Sequence, residues 1–133
     1  MRNITLILIA VAIAAVFSSF VADGIKGRWE YVGGIYNGKL TPASKDYVLQ
    51  RNYDASHYSA LLLEKGQAPY NYERGSYRLD KDTCSETQTF SAEPSKWLNV
   101  TIKYKYEIKN DTLTFSGVLP NGTIVQEKWL KVK

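Results

Sequence analysis

The sequence predicts an all-β protein: an eight-stranded antiparallel up-and-down β-barrel behind an N-terminal signal peptide. Apolar and polar residues alternate with a strict period of two over residues 98–108, which is typical of a strand with one buried and one solvated face. Two more alternating runs follow at residues 112–119 and 123–132, after short polar turns. Three consecutive antiparallel strands leave one apolar face, which a second layer or a closed barrel must cover.

Short polar turns separate these three strands. Asn110 and Asp111 lie between the first two strands, and Asn121 and Gly122 lie between the second and third. Asparagine and glycine tolerate positive φ angles, so we expect a two-residue hairpin turn at Asn121 and Gly122.

Five further strands are expected before this meander. The first, residues 27–34, places Trp29 and Tyr31 on one face, and residues 36–46 after it are too polar and too broken by turn residues to form a strand. The other four are expected at residues 47–53, 56–64, 73–79 and 83–91. An up-and-down barrel suits eight short strands best, because sequential neighbours pair and closure removes exposed edges.

The connections between the strands predict which end of the barrel is open. The long connections are residues 36–46, 65–72 and 92–97, and they alternate with tight turns. Alternate connections share one end of an up-and-down barrel, so we expect these three loops to form the open end. Long loops on a rigid barrel are where binding residues usually lie. Four aromatic residues lie in them: Tyr36, Tyr70, Tyr72 and Trp97.

Residues 1–22 predict the cellular location of the protein. Arg2 carries the one early positive charge, residues 4–17 are almost entirely apolar, and residues 18–22 are rich in small side chains. This is the layout of a secretory signal peptide, so we expect a secreted or periplasmic domain of residues 23–133. The alternative is a membrane anchor formed by an uncleaved N-terminal helix, because the apolar stretch is nearly long enough to span a bilayer.

Composition restricts the remaining classes of function. Cys84 is the single cysteine, so no internal disulfide can form, and we expect it to be a small buried hydrophobe. The net charge of +4, or +3 without Arg2, is spread along the chain, which does not favour nucleic acid or a membrane as a partner. The sole histidine, His57, has no metal-ligand pattern around it, and we expect no metal or cofactor.

Short motifs along the chain resemble lipocalins. Gly27-Arg28-Trp29 resembles the Gly-x-Trp signature, in which the tryptophan plugs the closed end of the barrel and a basic residue of the last strand packs across it. The resemblance assigns that basic role to Lys131, where related proteins usually carry arginine, and places Trp129 beside it. It therefore implies that Trp29, Trp129 and Lys131 close one end of the barrel.

The whole of residues 23–133 is similar to the lipocalin-like domains of small secreted bacterial proteins of uncharacterised function. The similarity rests on Gly75-Ser76-Tyr77, on the strand that begins at Thr83, and on the hairpin of residues 106–113. These domains imply a barrel that can enclose a cavity, and they imply no reaction.

Strand phase predicts which polar groups face the interior. In the fifth strand a wholly polar face leaves Cys84, Glu86, Gln88 and Phe90 for the inner face. In the last strand Val125, Glu127 and Trp129 share a face, and in the second strand Arg51 shares the phase of Tyr47, Leu49 and Tyr53. The predicted ligand-binding residues are Arg51, Tyr58, Tyr77, Glu86, Gln88, Tyr104, Tyr106 and Glu127.

Several interpretations of these groups remain open. Arg51 can bridge Glu86 and Glu127 in an internal network, because an unpaired charge in a barrel costs several kcal/mol. The same groups can anchor a small amphipathic molecule in an aromatic pocket, or the two glutamates can act as a general acid and base. The open-end loops can also form a protein- or glycan-interaction module. We favour a non-catalytic barrel that binds a small, partly apolar ligand.

Overall fold

The computed structural model describes residues 24–133, so the predicted signal peptide lies outside the described residues. All the regular secondary structure in this range is β-strand, and within it no helix is long and apolar enough to cross a membrane. The nine strands are β1 (Gly27–Tyr36), β2 (Lys39–Pro42), β3 (Val48–Tyr53), β4 (His57–Leu63), β5 (Tyr70–Asp80), β6 (Thr83–Ser91), β7 (Thr101–Lys109), β8 (Thr112–Val118) and β9 (Ile124–Lys131).

Eight of these strands form a closed antiparallel barrel. β1 pairs with β3, each strand from β3 to β9 pairs with the next, and β9 returns to pair with β1. Closure leaves the barrel strands paired on both sides over most of their length, which satisfies their backbone polar groups. The predicted fold class is therefore confirmed.

The additional strand, β2, lies in the segment that the sequence predicts to be a loop. Asn37 and Gly38, with φ angles of 49° and 80°, turn the chain back so that Leu40 pairs with Ile35 of β1. Every residue of β2 is exposed, so its polar sequence needs no buried face and carries no alternating pattern. The loop prediction is wrong here because backbone pairing alone holds this strand.

The two hairpin turns of the meander differ from each other. Asn110 and Asp111 both have positive φ angles, 51° and 60°, as a two-residue type I′ turn requires. At the second turn only Gly122 has a positive φ angle, and its N–H donates to the Leu119 carbonyl at 2.8 Å. The prediction of a two-residue turn is wrong there, because Pro120 with its fixed φ angle favours a wider turn.

The strand register shifts at three places in the barrel, and the shifts in β1 and β6 change which predicted residues point inward. In β1 the register shifts between Tyr31 and Gly33, so that Gly34 becomes buried and Tyr36 turns towards the interior. In β6 Thr89 is the extra residue, which places Phe90 opposite the exposed Arg74, with the guanidinium 4.3 Å from the ring centroid. The prediction that Phe90 faces inward is wrong, because a bulge reverses the alternation beyond it.

The core fills the half of the barrel that contains the start of β1 and the end of β9. Tight turns at residues 54–56, 81–82 and 110–111 close this end, and the longer connections lie at the other end. The packed residues are Ile25, Trp29, Tyr53, Tyr58, Tyr77, Cys84, Leu113, Phe115 and Trp129. The open half is therefore where a ligand can enter.

Candidate functional site

The closed end is built around the buried side chain of Trp29. Its indole Nε1 donates a hydrogen bond to the Ile25 carbonyl at 2.8 Å. The Lys131 ammonium lies 4.6 Å from the ring centroid and donates to the Lys26 carbonyl at 2.6 Å. Gly27 has a positive φ angle of 119°, which would strain any residue with a side chain and gives a physical reason for glycine two residues before the tryptophan.

Trp129 lies one step further into the barrel than Lys131 on the same strand. Its ring centroid is 5.2 Å from that of Tyr31 and 5.5 Å from the Arg51 guanidinium carbon. The structure thus places Trp29 and Lys131 together at the closed end, while Trp129 separates this end from a charged layer above it.

That charged layer is organised by Arg51 of β3. Arg51 Nη1 donates to Glu86 Oε1 at 2.7 Å and to the Tyr53 hydroxyl at 2.9 Å, and the Tyr53 hydroxyl donates to Glu86 Oε2 at 2.6 Å. Both carboxylate oxygens of Glu86 are therefore occupied. Burial lowers the pKa of Arg51, but Glu86, Tyr53, Glu73 and Tyr58 together raise it by more, so the guanidinium stays charged.

The second carboxylate that pairs with Arg51 is Glu73, not Glu127 as the sequence suggests. Arg51 Nη2 lies 3.5 Å from Glu73 Oε2, which also accepts a hydrogen bond from the Tyr58 hydroxyl at 2.5 Å. Arg51 pairs with Ala60 across one strand boundary, and Ala60 pairs with Glu73 across the next. The small, fully buried Ala60 leaves room for the guanidinium to reach across β4.

Gly75 provides the space in which Tyr58 lies. A Cβ atom at Gly75 would collide with the Thr87 carbonyl and would come within 2.5 Å of the Tyr58 ring. Without a side chain at this position, the ring packs on the β5 backbone and its hydroxyl reaches Glu73.

A cavity of about 160 Å³ lies between this charged layer and the open end. Polar and charged groups form part of its wall, and aliphatic and aromatic side chains form the rest. It is lined by Tyr36, Arg51, Tyr58, Glu73, Glu86, Gln88, Trp97, Val100, Ile102, Tyr104, Leu119, Val125 and Glu127. Six of the predicted ligand-binding residues are among them: Arg51, Tyr58, Glu86, Gln88, Tyr104 and Glu127.

Tyr77 and Tyr106, the other two residues of the predicted site, do not reach the cavity. The Tyr77 hydroxyl donates to the Asp54 carbonyl in the turn at the closed end, and the Tyr106 N–H donates to the Asp82 carbonyl, also at that end. Strand phase places both residues inward but does not give their depth, and both belong to the packed half.

Several lining residues were missed by sequence reasoning although a signal for them existed. Glu73 lies on the same face of β5 as Tyr77, but it is the first residue of the predicted strand and was not assigned to the inner face. Val100 and Ile102 share the phase of Tyr104. Tyr36 was expected only as a loop aromatic, because nothing in the sequence marks the bulge in β1. Trp97 lies in the predicted open-end loop and lines the cavity.

Trp97 is held at the cavity by the loop between β6 and β7. The Ser95 hydroxyl donates to Gln88 Oε1 at 2.5 Å and accepts the Trp97 N–H at 3.1 Å. The Asn99 N–H donates to the Gln88 carbonyl at 2.7 Å, and Asn99 has a positive φ angle of 62°. Gln88 therefore anchors both ends of the segment that carries the tryptophan.

Glu127 differs from the other two carboxylates of the cavity. Among residues 24–133, no lysine, arginine or histidine nitrogen lies within 4.0 Å of its carboxylate. Burial raises the pKa of Glu127, the Arg51 charge lowers it, and the Glu86 charge raises it, with a net increase. The cavity thus contains one carboxylate that makes no ion pair within the described residues, although the more distant Arg51 charge lowers its pKa.

Glutamine at position 127 is expected to increase stability at neutral pH. Because the pKa of Glu127 is raised, the folded state binds its proton more tightly than the unfolded chain does. Protonation of Glu127 therefore stabilises the fold, and this stabilisation is lost as the pH rises through the folded pKa. In urea unfolding, Glu127→Gln should be more stable than the parent at pH 7, and the advantage should disappear below about pH 4.

Glu107→Gln is the matched control, because Glu107 is exposed on the outer face of β7. This variant should not show the same dependence on pH. A Glu127→Gln protein less stable than the parent at pH 7 would contradict an uncompensated carboxylate.

Other reactive side chains lie away from the cavity. Cys84 is fully buried, and burial raises the pKa of its thiol. His57 is exposed at the start of β4. Within residues 24–133, no group of three or more His, Cys, Asp and Glu residues has an arrangement that could hold a metal ion.

Comparison with known protein families and with curated protein sequences finds no match. Among solved structures, the chain is similar to an uncharacterized protein from Bacteroides eggerthii, with a TM-score of 0.60 and 15% identity over 80% of this chain and 98% of that chain. A mutant of the fluorescent protein UnaG has a TM-score of 0.43 and 9% identity over 82% of this chain and 96% of that chain. The first similarity shows a shared fold, and the closed eight-stranded barrel fits a calycin-type architecture.

Proposed function

We propose that the protein binds a small, partly apolar molecule in the open half of its barrel without transforming it. The observation that carries this proposal is the division of the interior: the closed half is packed with aromatic side chains, whereas the open half encloses about 160 Å³. Cavities of roughly 150 Å³ can hold a molecule the size of benzene. A ligand with one ring, or one larger ligand that extends past the loops, suits this volume.

The chemistry of the wall supports binding of an amphipathic ligand. Val100, Ile102 and Val125 offer apolar surface, while Arg51 and Glu86 form a polar group already fixed by mutual hydrogen bonds. A preformed site of this kind loses little conformational entropy when a ligand binds.

The hydrogen bonds of Glu86 favour binding over catalysis. An acid–base mechanism with Glu86 and Glu127 would require Glu86 to exchange a proton with a substrate. Its two oxygens instead accept hydrogen bonds from Arg51 and Tyr53. Glu86 therefore acts as a structural acceptor in this proposal.

We also propose that the chain is related to the lipocalin-like domains of secreted bacterial proteins and acts outside the cytoplasm after removal of residues 1–22. The support is the arrangement of Trp29 and Lys131 at the closed end, together with the apolar N-terminal segment. The intact mass of the protein isolated from its host tests the cleavage, and a mass that includes residues 1–22 would contradict it.

Benzyl alcohol is a suitable neutral probe for the proposed binding. Titrated into the ¹⁵N-labelled protein, it should shift the amide signals of Ile102 and Val125 in a saturable manner, because these residues line the cavity. Ile102→Phe should fill part of the cavity and weaken binding roughly tenfold or more, since overfilling a packed site costs on the order of 1–3 kcal/mol.

Lys103→Phe is the matched control, because Lys103 is exposed on the outer face of the same strand. It should bind the probe as the parent does. If the probe shifts no cavity residue at millimolar concentration, or if both variants behave alike, the proposed binding site is rejected.

A further inference from the structure

We infer that the ligand of this cavity carries a cationic amine, and that its N–H groups bind the carboxylate of Glu127 while its apolar part contacts Val100 and Ile102. This inference rests on the proposed binding function and specifies the class of ligand. Its starting point is the charge of the cavity wall, where three carboxylates, Glu73, Glu86 and Glu127, face a single guanidinium.

Both terminal nitrogens of the Arg51 guanidinium already face carboxylates. Arg51 directs one terminal nitrogen to Glu86 at 2.7 Å and the other to Glu73 at 3.5 Å. No nitrogen of its guanidinium comes within 4.0 Å of Glu127. Among residues 24–133, Glu127 is therefore the carboxylate of this wall that makes no ion pair.

Lys128 and Lys103 lie on strands that line the cavity, but neither supplies a cation to Glu127. Lys128 follows Glu127 directly and is exposed on the outer face of β9. Lys103 is likewise exposed on the outer face of β7. Alternation along a strand turns both ammonium groups away from the interior, so neither of these lysines compensates Glu127, and a bound cation can take that place.

Burial makes such compensation favourable. A carboxylate removed from water interacts strongly with a cation, because little solvent screens the pair. Burial and the Glu86 charge raise the pKa of Glu127 while Arg51 and the Tyr36 hydroxyl lower it, so a cation placed beside the carboxylate would favour its ionised form. A ligand with a carboxylate of its own would instead meet three like charges in the same wall.

Aromatic side chains around the cavity suit an organic cation. Tyr36, Trp97 and Tyr104 line it, and the negative face of such rings attracts an alkylammonium group. The Tyr36 hydroxyl lies 2.9 Å from that of Tyr31, which holds the ring in place. An amine attached to an apolar body matches both the carboxylate and this aromatic lining.

Three monocyclic probes of similar size test the class of ligand: benzylamine, benzyl alcohol and benzoate. Followed by amide shifts of cavity residues at neutral pH, benzylamine should bind at least tenfold more tightly than benzyl alcohol, and benzoate should bind most weakly. A tenfold ratio corresponds to about 1.4 kcal/mol, a modest expectation for a hydrogen bond to a charged partner.

Two glutamate variants assign the preference to one residue. Glu127→Gln keeps the shape of the side chain and should bring the affinities for benzylamine and benzyl alcohol within about twofold of each other. Glu107→Gln removes the same charge from the outer face of β7 and should retain the full preference. If the preference survives in Glu127→Gln, the assignment to Glu127 is overturned.

The affinity for benzylamine should fall as the pH is lowered from 7 through the pKa of Glu127, whereas that for benzyl alcohol should stay constant. The charged or titratable groups that act on Glu127 are Arg51, Glu86, Glu73, Tyr36, Tyr31, Tyr72 and Tyr104. Glu127→Gln should flatten the dependence for benzylamine. A slope unchanged by this substitution would overturn the inference in favour of Glu73 or Glu86.

The outcomes also separate this inference from the proposed function. Equal affinity for all three probes, or a preference for benzoate, would reject the amine and keep a small-molecule site. Absence of saturable shifts at the cavity with every probe would reject both.

Discussion

Replacement of Arg51 by methionine is expected to lower the free energy of unfolding by about 3–5 kcal/mol at neutral pH. Methionine fills a similar volume but leaves Glu73, Glu86 and Glu127 in one cavity without a cation. It also removes the hydrogen bond from Nη1 to the Tyr53 hydroxyl. Urea unfolding followed by tryptophan fluorescence measures this loss.

The loss should depend on pH in a defined direction. Arg51 lowers the pKa of Glu127, so its removal raises that pKa further, and the folded variant holds the proton more tightly than the unfolded chain does. Stability of Arg51→Met should therefore decline, relative to the parent, as the pH rises through that pKa. The deficit should be smallest near pH 4.

Arg28→Met serves as the control, because Arg28 is exposed on β1 and its removal should change stability by less than about 0.5 kcal/mol. The double variant Arg51→Met with Glu86→Gln should recover part of the loss, since it removes one of the buried charges. An Arg51→Met protein as stable as Arg28→Met at pH 7 would show that the ion pairs make no net contribution.

Replacement of Trp29 by alanine is expected to cost about 3–5 kcal/mol, the range for large buried aromatic residues. Trp29 is 2% exposed, and the substitution leaves a cavity at the closed end. The Ile25 carbonyl loses the hydrogen bond from the Trp29 indole N–H, and the Lys131 ammonium loses its cation–π contact with the Trp29 ring. Equilibrium unfolding in urea measures the difference.

Trp97→Ala provides the contrast, because Trp97 is only partly buried and lies at the cavity rather than in the packed half. This substitution should reduce stability much less than Trp29→Ala does. Its effect should appear in the affinity for benzylamine instead. Equal losses of stability in the two variants would contradict the division of the barrel into a packed half and an open half.

The alternation of residues by itself determined the strand phases that place polar groups inside the barrel. In β6 the run of Thr and Ser on one face left Glu86 and Gln88 for the other, and in β9 the phase of Trp129 placed Glu127 inside. Strand order determined the barrel as well, because consecutive antiparallel strands with short turns pair with their neighbours and bring the first strand back to the last.

Only the tertiary structure decided the depth and the partner of each inward group. Arg51 pairs with Glu73 rather than Glu127 because registers across β3, β4 and β5 place Arg51, Ala60 and Glu73 in one row. A bulge in β1 brings Tyr36 to the cavity. Alternation is a property of a single strand, whereas register and bulges arise from the pairing of strands that close the barrel, so the sequence pattern alone could not reveal them.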